Sequence, residues 1–449
     1  MGRPDYQSFG RANPGARQVV EIGEATELLT SGAAHASSLL AYGNGRSYGD
    51  SCQNSAGAVI DLRPCNRILS FNAETGLIDA EAGTLLADII AYIAPHGFFP
   101  AVVPGTQLVT LGGAIANDVH GKNHHRRGSF GCHVERLVLL RSDGRYVCSP
   151  SENSRLFWAT IGGMGLTGVI LSAAIRLMRV PSLDIAETVK PFGCLGEYFE
   201  LAEAADADNE YAVAWIDQLA SGKHVGRGLL LVGNHAPLGA RKASSGAARL
   251  SVPFQPPLTL LNRPFLKLFN AAYGWRRGRL AESRSSHQKF FFPLDGVAHW
   301  NRLYGPNGLY QHQSVVPEAA ARETIPALLA AAQRAGQGSF LTVLKRFGAQ
   351  RSPALLSFAR PGYTLTLDFP NHGRRTLELL AELDRITVGA GGAVNPYKDA
   401  RMSAETFAAS FPDWQRLEAM RDPAFMSDFW ARTAGRLGGR DGNTAQAAE

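Results

Sequence analysis

The chain has 449 residues, 45% of them hydrophobic, which is ample for two or three domains with buried cores and excludes a disordered or fibrous protein. Its net charge of +6 suits phosphate-bearing partners or an anionic membrane surface, and nucleic acid is not an expected partner. Cys52, Cys65, Cys132, Cys148 and Cys194 are odd in number and lack C-x-x-C spacing, which excludes a zinc site or a disulfide framework, so no metal is expected and a reducing compartment fits.

The first eighteen residues lack the apolar core of a signal peptide, and no 18 apolar residues run unbroken, so the chain is expected to be soluble or peripheral. Residues 38–42 (SLLAY) read as a strand that runs into GNGRSYGD at 43–50. A strand followed by a glycine-rich polar turn can present backbone donors to a pyrophosphate, although Gly-Asn-Gly is equally an ordinary hairpin turn. Residues 58–62 and 76–80 read as strands, and 85–96, apolar at 85, 86, 89, 90 and 93, as a helix ended by Gly97. These strands are too short and closely spaced for a doubly wound sheet, so the class is α+β.

Residues 103–127 (VPGTQLVTLGGAIANDVHGKNHHRR) concentrate the chemistry. A Pro104-Gly105 turn and the Gly112-Gly113 pair precede a cluster of Asn117, Asp118, His120, Lys122, Asn123, His124 and His125. Residues 134–141 and 146–147 flank the Ser142-Asp143-Gly144-Arg145 turn as a hairpin. Gly163, Gly165 and Gly168 match G-x-G-x-x-G, which opens an alternative reading as a nicotinamide-dependent dehydrogenase. That fingerprint belongs at a strand-to-helix turn, whereas residues 169–177 read as a strand.

From about residue 181 apolar strands alternate with helical and basic segments. Residues 211–217 form one strand by alternation, and 309–317 another with Gln311 and Gln313 on one face, placed to orient sugar hydroxyls or to form the wet side of a sheet. In 339–347, Lys345 shares a face with Leu341, Val343 and Phe347, which calls for an anionic partner. Residues 362–370 are the next strand. Between them, residues 237–290 carry ten basic side chains against Glu282 alone, more than the whole chain's net charge. Leu, Phe, Arg and Lys mix through 258–275 as in an amphipathic interfacial segment or a solvated loop. Finally, Lys398 and Asp399 precede a helix capped by Ser403, whose stripe of Phe407, Phe411, Trp414 and Leu417 belongs in a core. The polar end, 438–449, is expected to fray.

GNGRSYGD, PGTQLVTLGGAIANDVHGKNHH (104–125) and GGMGLTGVI (162–170) together resemble the FAD-binding domain of the vanillyl-alcohol oxidase and p-cresol methylhydroxylase superfamily. Within it, HGKNHHRRGSFGCHVERLVLL (120–140) and the strands bearing Gln313, Lys345 and LDFP are most similar to the flavin oxidases of polyprenyl-phosphoryl ribose. The resemblance implies a two-lobed FAD-binding domain at 1–182, completed by 393–449. It also implies a substrate-binding domain at 183–392 whose antiparallel sheet covers the flavin, with a mobile basic insertion at 237–290.

Noncovalent FAD is implied on Gly43, Asn44, Gly45, Arg46, Ser47, Tyr48, Pro104, Gly105, Thr106, Thr110, Gly112, Gly113, Ala116, Asn117, His120, Gly121, Asn123, Gly168, Ile170 and Tyr397. Tyr48, Lys122, Gln311, Gln313 and Lys345 are implied to bind substrate, with Lys398 as the proton acceptor and His120 as its competitor. Where related oxidases often carry cysteine before VDFP, this chain has Thr366, so turnover should survive and sensitivity to thiol-directed inhibitors should not. The implied reaction is oxidation of the ribose 2-hydroxyl to the 2-keto sugar, the first half of an epimerisation that a separate NAD(P)H-dependent short-chain reductase completes to the arabinose epimer. A soluble polyol or aldonolactone is the alternative substrate. The implied location is cytoplasmic and peripheral at the inner membrane, the periplasmic face left open.

Overall fold

A computed structural model describes residues 6–438 apart from 14, 16–17, 32–37, 244–247 and 280. Most of the tail expected to fray, 439–449, lies outside the described residues. The architecture is α+β, and three sheets place the site.

The first is parallel, with Ala58–Asp61 between Gln18–Glu21 and Leu39–Tyr42. Val59 and Ile60 are fully buried in its centre, as β-branched residues in a short inner strand should be. Leu39–Tyr42 ends directly in the glycine turn at 43–49. Its free edge is completed from the far end of the chain: the Leu39 N–H donates to the Ala424 carbonyl and the Met426 N–H to the Leu39 carbonyl.

The second sheet is antiparallel, in the order Ile68–Asn72, Leu77–Glu81, Val169–Arg179, Val134–Arg141, Gly144–Cys148, with Phe98–Pro100 on the end of Val169–Arg179. Helices Leu86–Ile93, Leu111–Ala116 and Ser154–Thr160 bury their apolar faces on it. The glycine-rich turn at 162–168 enters the long central strand of this sheet, so no helix follows it. Gly163, Gly165 and Gly168 thus lack the strand-to-helix turn that a nicotinamide site requires.

The third sheet has eight antiparallel strands, in the order Glu282–Ser285, Ile185–Phe192, Gly228–His235, Tyr211–Ile216, Val343–Phe347, Gly362–Pro370, Leu309–Val316, Ala393–Val394. Its pleat sorts side chains strictly. Ala214, Leu230, Leu344, Leu365 and Leu367 point to one face and pack on helices Leu195–Asp208, Glu318–Arg334 and Arg374–Gly389. Trp215, Leu231, Val343, Lys345, Thr366, Gln311 and Gln313 point to the other, into a cavity.

One expected strand is shorter than its alternation suggested. Regular pairing begins at Val343, and the consecutive residues Phe340 and Leu341 both reach the cavity. Ser339 is the reason: its Oγ accepts the Asp368 amide N–H at 2.9 Å, so a side chain replaces the ladder there.

Residues 395–402 are clamped by a chain of buried charges. Arg432 binds Asp50 at 2.9 Å and Asp399 at 3.0 Å. Arg401 binds Asp399 at 3.4 Å and Asp384 through two nitrogens. All three carboxylates are only 3% exposed. Gly49 lies so close that a Cβ there would sit 1.4 Å from the Asp399 carbonyl oxygen. Removing one member of such a chain leaves uncompensated buried charge, so Arg432→Leu is expected to lower unfolding free energy by about 3–5 kcal/mol in urea titrations.

Candidate active site

The three sheets enclose a cavity of about 610 Å³, within the range of cofactor sites. One wall is built from the turns at 43–48 and 104–113, and the other from the open face of the eight-stranded sheet. The glycine walls are held against each other. Asn44 Nδ2 donates to the Leu108 carbonyl at 2.7 Å, and a Cβ on Gly43 would strike Thr110 Oγ1 at 2.4 Å. Thr110 Oγ1 in turn accepts the Gly113 N–H. At Gly105 a Cβ would meet nothing within 4 Å, so the backbone is bare toward open space. Arg46 Nε is buried without a hydrogen-bond partner among the described residues, and burial lowers its guanidinium pKa. Bare backbone and a guanidinium whose buried Nε lacks a partner, in one groove, suit a flat ligand with a diphosphate.

The far end carries a hydrogen-bond chain that fixes a histidine tautomer. The Tyr397 backbone N–H donates to Asn395 Oδ1 at 3.2 Å, so Asn395 Nδ2 is the donor to Gln313 Oε1 at 2.9 Å. Gln313 Nε2 therefore donates to Thr364 Oγ1 at 3.1 Å and to His120 Nε2 at 3.0 Å. A donor facing Nε2 requires that nitrogen to be bare, so the ring proton sits on Nδ1, 3.2 Å from the Tyr397 hydroxyl. Burial first, then the charges of Lys345, His124 and Lys398, hold His120 well below the ordinary histidine range.

Three lysines share the cavity. Lys398 Nζ lies 4.0 Å from the centroid of the Tyr48 ring, a cation over an aromatic face. Burial lowers its pKa, and the Asp368 carboxylate raises it partly back. Asp368 is itself held by Gln311 Nε2 at 2.6 Å and the Tyr304 hydroxyl at 3.4 Å, and burial raises its pKa. Lys345 is lowered to about 7 by burial and by its charged neighbours Lys122 and Lys398. The anionic partner expected for Lys345 is thus replaced by two more cations, which leaves room for an anion from a ligand. Lys122 is lowered to about 8, chiefly by burial, and donates to the Phe290 carbonyl.

The structure gathers nearly every residue singled out from the sequence around this one cavity, including Pro104, Thr106, Ala116, Asn117, Gly121, Gly168 and Ile170. Asn123 lies outside its wall, with Nδ2 on the Ala101 carbonyl at 2.8 Å and Glu210 Oε1 at 3.1 Å, so it braces the loop. Gln313 lines the cavity, yet both its N–H donors are used within the protein.

Sequence reasoning missed Asp368, buried behind Gln311, and in the wall itself Asp295 and the aromatic lining from Phe9, Trp215, Trp300 and Phe340. It also missed Phe269, Tyr273 and Arg277, whose spacing of four places them on the inner face of helix Arg263–Gly278. That signal was present, hidden under the basic composition of its window.

Comparison with known proteins points the same way. The family described as FAD binding domain matches residues 18–149. The chain is 36% identical over 410 residues to decaprenylphosphoryl-beta-D-ribose oxidase of Mycolicibacterium smegmatis, covering 88% of each. It is 34% identical over 366 residues to an uncharacterized protein in the mprA 5′ region of Streptomyces coelicolor, covering 77% of this chain and 97% of that one. With L-gulonolactone oxidase of Mus musculus it shares 30% identity over 176 residues, 39% of each chain.

The hydrogen-bond chain makes a direct spectroscopic demand. In nitrogen-15 NMR of histidine-labelled protein, the His120 ring should show a protonated Nδ1 and a bare Nε2 at neutral pH, with its titration moved below the ordinary histidine range. A ring that titrates in the ordinary range, or a proton on Nε2, contradicts the assignment.

Proposed function

The chain belongs to the family of FAD-dependent oxidases that includes decaprenylphosphoryl-beta-D-ribose oxidase, and from that membership we propose that it oxidises the 2-hydroxyl of a polyprenyl-phosphoryl-β-D-ribose to the 2-keto sugar. The observation that carries the reading is the meeting of Lys398, Lys345 and Lys122 beneath the eight-stranded sheet, in the same cavity as the glycine turns. When bound, FAD accepts the hydride that leaves C2 as the alcohol becomes a ketone.

The chain's own groups handle everything else. The turns at 43–48 and 104–113, with Arg46, hold the dinucleotide. The sheet face bearing Gln311, Gln313, Lys345 and Thr366 roofs the ring and excludes water. Lys398 takes the hydroxyl proton: burial keeps its amine available, the Tyr48 ring lies beneath it, and the Asp368 charge tunes its pKa upward. His120 is unsuited to that task, because Nε2 is capped by Gln313 and Nδ1 by Tyr397. The same two contacts leave neither nitrogen for a bond to flavin, which supports noncovalent FAD.

We assign residues 1–182 and 393–449 to the FAD-binding part and 183–392 to the substrate-binding part. The edge contacts of Leu39 with Ala424 and Met426 support that return of the chain. The 2-keto product requires a separate NAD(P)H-dependent short-chain reductase to give the arabinose-configured epimer.

A lipid tail calls for a membrane, and none of the helices described is long and apolar enough to cross one. We place the protein peripherally, on the outer face of helix Arg263–Gly278 and the segment before it. Leu258, Leu268 and Trp275 are 76%, 71% and 63% exposed there, beside Arg263, Lys267, Arg276 and Arg279. Apolar insertion with about 1 kcal/mol per basic residue near an anionic surface is enough for reversible docking. Phe269 and Tyr273 on the inner face of the same helix line the cavity, so the docking face and the substrate share one element.

The purified protein should be yellow, and acid precipitation should release its FAD. Anaerobic prenyl-phosphoryl ribose should bleach the flavin band, and equal or faster bleaching by free ribose, a polyol or an aldonolactone overturns the substrate assignment. Lys398→Met should retain FAD and reduce it about 10²–10⁴ times more slowly. Asp368→Asn removes the charge that raises the Lys398 pKa, so the acid limb of kcat/KM should move to lower pH. Leu268→Glu with Trp275→Glu should abolish cosedimentation with anionic vesicles while sparing turnover of a short-chain soluble substrate.

A further inference from the structure

At the sheet edge remote from Gln311 and Gln313, a second polar cluster is unused by the reaction above. Glu187 on Ile185–Phe192 has a fully buried side chain, held by Arg277 from helix Arg263–Gly278 and by Ser285 Oγ at 2.6 Å from the edge strand Glu282–Ser285. Lys122 is close enough for its charge to feel both Glu187 and Arg277. Its Nζ also lies 4.4 Å from the centroid of the Phe290 ring. Lys122, Arg277, Ser285 and the exposed Lys289 all line the cavity. Arg277 pairs with Glu187 and Lys122 feels its charge, while Lys289 adds a third cation to the cavity wall, each cation from a different element.

Resting on the substrate reading above, the geometry points to this corner as the binding site for the phosphoryl group of the prenyl-phosphate substrate, with Glu187 as the counter-ion that the phosphoryl group displaces. Arginine with two lysines is the donor set for a tetrahedral anion. Lys122 also neighbours Lys345 in charge, so it spans the gap between this corner and the reacting end. From the corner, Tyr273 and Phe269 lead along the inner face of the helix, an apolar path for the tail toward the exposed Leu and Trp side chains. Lys122 and the buried Ser285 line this corner inside the protein cavity, which a phosphoryl group carried in by the substrate enters and a headgroup fixed in a bilayer does not.

The test is equilibrium binding of farnesyl phosphate and of farnesol to the FAD-loaded protein, without vesicles, followed by tryptophan fluorescence. Farnesyl phosphate should bind about tenfold or more tightly than farnesol, the worth of one or two charge-assisted contacts. Arg277→Gln and Lys289→Gln should each weaken the phosphate several-fold and leave farnesol unchanged, whereas Arg276→Gln, an equal charge change outside the cavity, should leave both ligands unchanged. Glu187→Gln should tighten the phosphate, a gain that a merely structural role for this cluster cannot give. Equal binding of phosphate and alcohol by the wild type overturns the proposal, as does parallel loss of both ligands in Glu187→Gln and Lys289→Gln. Loss of FAD from Arg277→Gln also overturns it, because the corner then serves the cofactor's diphosphate. If prenyl phosphate binds as stated and no prenyl-phosphoryl ribose bleaches the flavin, the phosphoryl site stands and the oxidation assignment falls.

Discussion

Taking an ammonium group out of water is costly, and this fold does so three times in one cavity, at Lys122, Lys345 and Lys398. Their mutual repulsion adds to the desolvation. A protein that only had to fold would place such residues at its surface, so the surrounding structure must hold them inward. The holding is done by the pleat of the eight-stranded sheet for Lys345, by the loop that follows Gly121 for Lys122, and by the Asp–Arg chain behind Asp399 for Lys398. The outcome is a cavity lined by three amines whose pKa values are held below the ordinary lysine range.

The cofactor half of this arrangement was largely readable in the sequence, because it is local. A strand that ends in GNGRSYGD, and a turn from Pro104 to Gly113, each carry their own geometry within ten residues or so. The hairpin at 141–144 and the helix that Gly97 ends were readable for the same reason. Gln313 and Lys345 were found through alternation, which says which face a side chain takes and nothing about which strand lies alongside, and Thr366 through the family resemblance.

What stayed hidden depends on long-range register. Asp368 backs the site only because its strand pairs with Gln311 opposite it, and Asn123 stays out of the cavity wall because Ala101 and Glu210 claim its amide. The residue chemistry of Gln313 suggested contacts with a sugar, while its hydrogen bonds turn it into the group that sets the His120 tautomer. The 339–342 segment shows the same limit from the other side, since a single serine hydroxyl replaced a ladder bond that periodicity had assumed.

The return of residues 424–426 to the edge of the first sheet has a bearing on how the protein is made. Leu39 waits for partners nearly four hundred residues downstream, and Asp50 for Arg432. On a ribosome, the early glycine turns therefore emerge long before the segment that seats Lys398 and seals the first sheet's flank. Such distant closure is slow, and a nascent chain truncated before Ala424 lacks both the seal and the clamp. Maturation of the binding cleft is thereby tied to synthesis of the segment from Ala424 to Arg432.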